Sequence, residues 1–274
     1  MEDDLRLARR AALAGADVAM RYFAALTELR QERKVDGSVV TEADRAVEAA
    51  VRAVLTAARP GDAILGEEGG QTDPGAGDGR AGRRWIVDPI DGTALFVAGD
   101  DRWLVLVALE EAGEIVAGVA VVPVQGRIWW ARRGHGAWEA ATDDPDAARR
   151  ISVAPDGPGG VPSSRLAVLP TFDDPVTGAN VVPKAPGVVA ALLAVTPARP
   201  WTLHPPLLVA RGELDLAVQT SGQVWDFAAT SLIVAEAGGV YGTLDGRTRP
   251  GAGPSVFARD ARLRDAALAL LREA

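Results

Sequence analysis

Within the stretch "RRWIVDPIDGTALFVAG", residues 83–99, lie the side chains best equipped for chemistry. Asp88 and Asp91 bracket Pro89-Ile90 at the end of an apolar run, and Gly92 and Thr93 follow at once. Two carboxylates pressed together beside a buried strand are costly unless a positive charge sits between them. A metal ion is the simplest such charge. Further acidic residues stand at expected element ends: Asp44 in "VTEAD", Glu67 and Glu68 in "GEEGG", and Asp226 in "WDFAA". Oxygen-only ligands suit hard cations such as Mg2+, which keep water and substrate phosphate in their coordination shell. Two such ions about 3.5–4 Å apart can activate water and stabilise a leaving oxygen. If residues 92–94 open a helix, their N–H groups add donors for a phosphate.

Each piece alone has a plainer reading. "GEEGG" is by itself a solvated turn, and "WD" a helix cap beside a buried tryptophan. Thr41 with Asp44 three residues on is a capping box. "DPIDGT" is the specific signal, six residues at a strand-to-helix junction.

Composition narrows the chemistry. The 274 residues contain no cysteine and only two histidines, His135 and His204. Thiolate sites, disulfides and a His-rich zinc site are thereby excluded or disfavoured, and carboxylates must carry the work. His204, ahead of two prolines, reads as a loop histidine with its hydrogen bonds satisfied. The formal charge of −8 argues against an extended nucleic-acid surface. No apolar run is long enough to span a membrane. "MEDDLRLARR" lacks a signal-peptide core, so a cytoplasmic setting is expected.

The elements that must hold these residues follow from periodicity. Leu5, Ala8, Ala12, Leu13, Ala16, Ala19, Met20 and Phe23 mark a long amphipathic helix in the first thirty residues, and Val47, Ala50, Val51, Val54 and Leu55 a second. "AILGEEGG" reads as a strand entering a turn, and "QTDPGAGDGRAG" as a mobile loop. "WLVLVALEE", "IVAGVAVVP" and "GRIWWARRG" form an antiparallel meander with turns at 111–114 and 124–127. Trp129 and Trp130 are expected to point one ring inward and one toward an interface. Beyond a polar boundary near residue 145, "RLAVLP", "LDLAVQ" and "GVYGTL" read as strands. "PGVVAALLAV", "WDFAATSLIVAEAGG" and the C-terminal "ARLRDAALALLREA" read as helices.

The ordered set "VTEAD", "GEE", "WIVDPIDGT" and "WDFAA…EAGG" resembles the inositol monophosphatase-like family of magnesium-dependent, lithium-sensitive phosphomonoesterases. "DGSVVTEADRAVE", "VALEEAGEIVAGV" and "GRIWWARRGHGAW" are most similar to its actinobacterial histidinol-phosphatase branch. The resemblance implies an α/β fold of five αβαβα layers, as in inositol monophosphatase and fructose-1,6-bisphosphatase. It also implies two parts, 1–145 with most metal ligands and 146–274 with Asp226. Glu67, Asp88 and the Ile90 carbonyl would hold one Mg2+, and Asp88, Asp91 and Asp226 a second. Glu67 would reach a weaker third. Thr93, oriented by Asp44, would position or deprotonate the attacking water, with Glu68 in support. Gly92 and Thr93 would offer N–H groups to the phosphate. The expected partners are a small phosphorylated substrate and a second copy of the chain, with Trp129-Trp130 in the contact.

The alcohol side departs from the family pattern. "GDDRW" puts Asp101 where a proline is common, and Leu95 stands where many relatives have a polar residue. "RPWTLHPP" replaces a small Gly-Ser/Thr-Ala loop, and Gln219 stands where inositol phosphatases carry an acid that grips hydroxyls. Trp201 reads as core, or as a flat wall for substrate. The expected activity is hydrolysis of a phosphorylated alcohol or sugar other than inositol 1-phosphate. Histidinol phosphate ranks behind a sugar phosphate, because its amine prefers a carboxylate to Gln219. An inositol phosphate or 3′-phosphonucleotide substrate and a catalytically quiet binding or assembly role are the alternatives.

Overall fold

The computed structural model describes residues 3–28, 31–33, 39–72, 82–155, 157, 159–169 and 186–272. The first apolar stripe forms helix α1, Asp4–Phe23. Strands β1 (Gln31–Arg33) and β2 (Val39–Thr41) pair antiparallel ahead of α2, Glu42–Ala58. Then come β3 (Ala63–Gly66), β4 (Gly70–Thr72), β5 (Arg83–Asp91) and the short helix α3 (Thr93–Val97). The meander is β6 (Leu104–Glu111), β7 (Glu114–Val122) and β8 (Arg127–Arg132), and β9 (Ala137–Ala141) and β10 (Arg149–Ile151) extend it. These make an eight-stranded sheet, β10-β9-β8-β7-β6-β5-β3-β4, antiparallel except where β3 lies beside β5.

The remaining elements are β11 (Leu166–Leu169), α4 (Ala190–Val195), α5 (Pro205–Ala210), β12 (Leu216–Gln219), α6 (Val224–Glu236), β13 (Val240–Thr243), β14 (Ser255–Ala258) and α7 (Ala261–Arg272). Their strands form a second sheet, β11-β12-β14-β13.

Side-chain alternation along the strands stacks these elements. On β6, Val105, Val107 and Leu109 join a core with α1 and α2, while Leu104, Leu106 and Ala108 face the core that contains α6. On β11, Ala167 and Leu169 belong to that same α6 core, and Leu166 and Val168 to a third core under α7. The result is five layers: α1-α2, large sheet, α5-α6, small sheet, α4-α7. Helix α6 is buried almost all round from Phe227 to Val234 because it lies between two sheets. It approaches the large sheet so closely that a Cβ on Gly118 would sit 2.8 Å from the Ala229 carbonyl oxygen.

Several expectations need correction. Trp129 and Trp130 are both buried: Trp129 donates to Glu139 Oε2 at 2.8 Å, and the Arg9 guanidinium covers the Trp130 ring at 4.1 Å. Neither ring is therefore available for an intersubunit contact. Residues 71–72 belong to β4 rather than to the loop read there, whose residues 73–81 lie outside the described residues. "PGVVAALLAV" shortens to a 3-10 turn and the six residues of α4. Helix α5 went unread because prolines signal breaks. Pro205 and Pro206 occupy its first turn, where an N–H has no intrahelical acceptor to lose. No helix among the described residues is long and apolar enough to cross a membrane.

Candidate active site

A bulge brings the two motif aspartates together. In β5, Asp88 pairs with Leu106 but Asp91 pairs with Leu104, so three steps along β5 match two along β6. In a regular strand, residues three apart point to opposite faces. The extra residue restores the same face, and Pro89, which has no N–H to donate, sits where the ladder is already interrupted. Gly92 then turns the chain with φ of 89°, a conformation natural to glycine, and caps α3.

Asp226 arrives from the other half of the chain at the third position of α6, where the Gln223 N–H donates to its Oδ2. One oxygen from each of Asp88, Asp91 and Asp226 lies within 4.8 Å of the others. Asp88 is almost fully buried, and among the described residues no N–H or O–H donor reaches either of its oxygens. Burial, with the negative charges of Glu67, Asp91 and Asp226, holds Asp88 well above the usual carboxylate range. Burial and the charge of Asp91 push Asp226 up to about 7, against the pull of the Gln223 N–H. Such a cluster holds protons or cations. All-carboxylate donors with unpartnered buried oxygens fit a hard divalent ion.

Of the other expected residues, Glu67 lies beside this cluster, and Asp44 connects to its edge through Thr93. Glu67 follows β3 directly, its N–H donating to Val87 O at 3.2 Å, and its charge acts on both Asp88 and Asp226. The Glu68 N–H donates to Glu48 Oε2 at 2.7 Å and the Gly69 N–H to Glu48 Oε1 at 2.9 Å. Glu48 is buried one helical turn beyond Asp44, and Arg52 Nε pairs with it at 2.7 Å. Its role in fixing the "GEE" turn was missed, although its i+4 spacing from Asp44 was visible in "TEADRAVE".

Asp44 serves two ends. Its Oδ2 accepts from the Thr41 N–H at 2.8 Å and hydroxyl at 2.6 Å, which completes the expected capping box. Its Oδ1 is 2.9 Å from Thr93 Oγ1, which also lies 3.1 Å from the Ile90 carbonyl oxygen. A hydroxyl has one proton, and the carboxylate is the stronger acceptor.

On the alcohol side two of the departures, "GDDRW" and "RPWTLHPP", prove to be neighbours. Arg102 forks onto Asp100, stacks at 4.4 Å over the Trp201 ring and donates to the Trp201 carbonyl at 3.0 Å. Trp201 is buried in the α6 core. Gln219 ends β12 with its Oε1 buried and without a partner among the described residues. His204, expected to be a satisfied loop histidine, is not one. It is 3% exposed, neither ring nitrogen has a hydrogen-bond partner among the described residues, and Nε2 is 3.2 Å from Asp91 Oδ2. Nothing in "LHPP" by itself reveals this, since the approach depends on how α5 docks.

Known proteins resemble this chain in sequence and in fold. Residues 1–166 and 206–274 match the inositol monophosphatase family, leaving out the stretch that contains Trp201 and His204. A histidinol-phosphatase of Streptomyces coelicolor is 36% identical over 99% of this chain and 97% of its own length. One from Mycobacterium tuberculosis is 38% identical over 93% and 92%. Among solved structures, the extragenic suppressor protein suhB of Bartonella henselae superposes with a TM-score of 0.77 at 25% identity, covering 98% of both chains.

Proposed function

Since this chain belongs to the inositol monophosphatase family, we propose that it hydrolyses a small phosphorylated alcohol at the Asp88, Asp91 and Asp226 cluster, with histidinol phosphate as the first substrate to try. It is a phosphoric monoester hydrolase. The observation that carries the site assignment is the convergence of three carboxylates, with both oxygens of Asp88 and Oδ2 of Asp91 buried and without a hydrogen-bond donor among the described residues.

Glu67, Asp88 and the Ile90 carbonyl would hold one Mg2+, and Asp88, Asp91 and Asp226 a second, with Glu67 reaching a third. Bound there, the ions supply Lewis acidity and make water acidic near neutral pH. The chain's own residues handle the proton. Thr93 Oγ1 donates to Asp44 Oδ1, which leaves its lone pairs free to accept from the attacking water. Thr41 occupies the other Asp44 oxygen and so fixes which one faces Thr93. Glu68 supports the ligand turn or the water, and the Gly92 and Thr93 N–H groups orient the phosphate.

Gln219 supports a substrate other than inositol 1-phosphate, because a neutral amide replaces a charged acceptor. Its buried, unpartnered Oε1 still accepts from an alcohol or an ammonium group. The names of the two relatives move histidinol phosphate ahead of a sugar phosphate. Trp201 would act behind this contact as a wall. Retention of every ligand speaks against a catalytically quiet role. The same reading divides the chain near residue 145, with the site shared between the parts, and makes the protein a lithium-sensitive cytoplasmic homodimer.

Specificity constants for histidinol phosphate, a sugar phosphate, inositol 1-phosphate and a 3′-phosphonucleotide, each with Mg2+ and with chelator, test the reading. Histidinol phosphate is expected to lead, with turnover lost on chelation. Preference for inositol 1-phosphate overturns the substrate assignment, and Mg2+-independent hydrolysis overturns the site.

A further inference from the structure

The carboxylates alone describe an oxygen-only centre, yet one nitrogen reaches it. His204 caps α5, and its ring is buried against the cluster. Nε2 lies 3.2 Å from Asp91 Oδ2, but neither atom has a hydrogen bond among the described residues, so the contact lacks the alignment of an N–H···O bond. A buried imidazole beside a buried carboxylate would ordinarily turn its N–H toward the oxygen, since leaving both unpaired is costly. Two donors that share a cation satisfy the same distance differently. At about 2.1 Å from the ion and at right angles, cis ligands lie about 3 Å apart. The separation suits two ligands of one ion.

We propose that His204 is a nitrogen ligand of this centre, its Nε2 joining Asp91 on one divalent cation. The proposal rests on the metal-site reading above and deepens it. The ring is then neutral with its proton on Nδ1, for which no protein acceptor is present among the described residues. An imidazole donor favours Zn2+, and to a smaller degree Mn2+, over Mg2+, which prefers oxygen. His204 falls outside the residues matched to the family, 1–166 and 206–274. The ligand therefore belongs to the segment in which this chain has been rebuilt.

Mn2+ bound to the untagged full-length protein provides the test, because its electron spin couples to a directly bound nitrogen. The chain has two histidines, so H204L and H135Q between them assign any imidazole signal. Pulsed paramagnetic resonance is expected to show an imidazole nitrogen coupled to Mn2+ in the wild type and in H135Q, and none in H204L. Mn2+ affinity of H204L should fall about tenfold or more, a ligand being worth at least what its supporting partners are, while Mg2+ affinity falls less. Absence of the coupling in the wild type overturns the proposal whether or not H204L folds. Mn2+ binding without nitrogen leaves the carboxylate centre standing and removes His204 alone. Failure of Mn2+ to bind removes both.

Discussion

Asp44 is both a helix cap and the partner of Thr93. That double use makes the capping reading and the functional reading of "VTEAD" compatible. At this scale two substitutions separate the proposed roles. Asp91→Asn keeps volume but removes charge from the cluster, so phosphate release from an aryl phosphate with Mg2+ should be abolished while the circular dichroism spectrum stays native. Near-normal turnover in that assay would reject the metal assignment. Thr93→Ala keeps the carboxylates and removes the hydroxyl, so kcat is expected to fall by roughly 10²–10⁴ with little change in KM, the range for loss of an acid-base group. A change confined to KM would make Thr93 a binding residue instead.

Among the elements, α6 and the β5 bulge decide whether the carboxylates meet. Gly118 lies under α6 with no room for a side chain. Gly118→Val should force α6 off the large sheet, destabilise the fold by about 1–3 kcal/mol and displace Asp226. Calorimetry should then report a Mg2+ affinity lowered along with Tm; unchanged affinity would mean that the α6 position does not set the site. Gly92→Ala tests the turn after the bulge. With φ of 89° and Leu95 Cδ1 3.3 Å from the added methyl, the variant should lose about 1–3 kcal/mol in denaturant unfolding. Its activity should fall as well.

At the scale of the whole molecule, stability draws on a buried ion pair outside the cluster. Asp215 is fully buried at the start of β12, where it accepts from the Arg165 N–H at 2.8 Å and from both the Arg165 and Arg259 guanidinium groups. Burial raises its pKa, but the Arg165 hydrogen bonds outweigh this and hold the carboxyl below its ordinary value. A lowered folded-state pKa stabilises above the unfolded value, and that contribution disappears as pH falls through the folded one. Asp215→Asn should therefore cost about 2–4 kcal/mol at pH 7, with the difference from wild type shrinking below pH 4. A constant difference across that range would assign the loss to packing. Light scattering at micromolar concentration tests the homodimer: a monomeric mass would remove it, and the burial of Trp129 and Trp130 already directs the search for a contact elsewhere.

Local patterns and motif chemistry were legible in the chain itself. The apolar periods announced α1, α2 and the meander, Thr41 and Asp44 announced a cap, and "DPIDGT" announced a charge-binding junction. Those signals arise from interactions over a few residues, so the order of residues contains them. The extra residue between Asp88 and Asp91 was present in the sequence, but only pairing with β6 turned it into a bulge that aims both carboxylates one way. The burial of Trp130 under Arg9, the stacking of Arg102 on Trp201 and the approach of His204 to Asp91 join segments about 100 residues apart. Contacts of that kind leave no local period or spacing to read. They exist because two sheets close on α6 and bring the end of β5 against the start of α5.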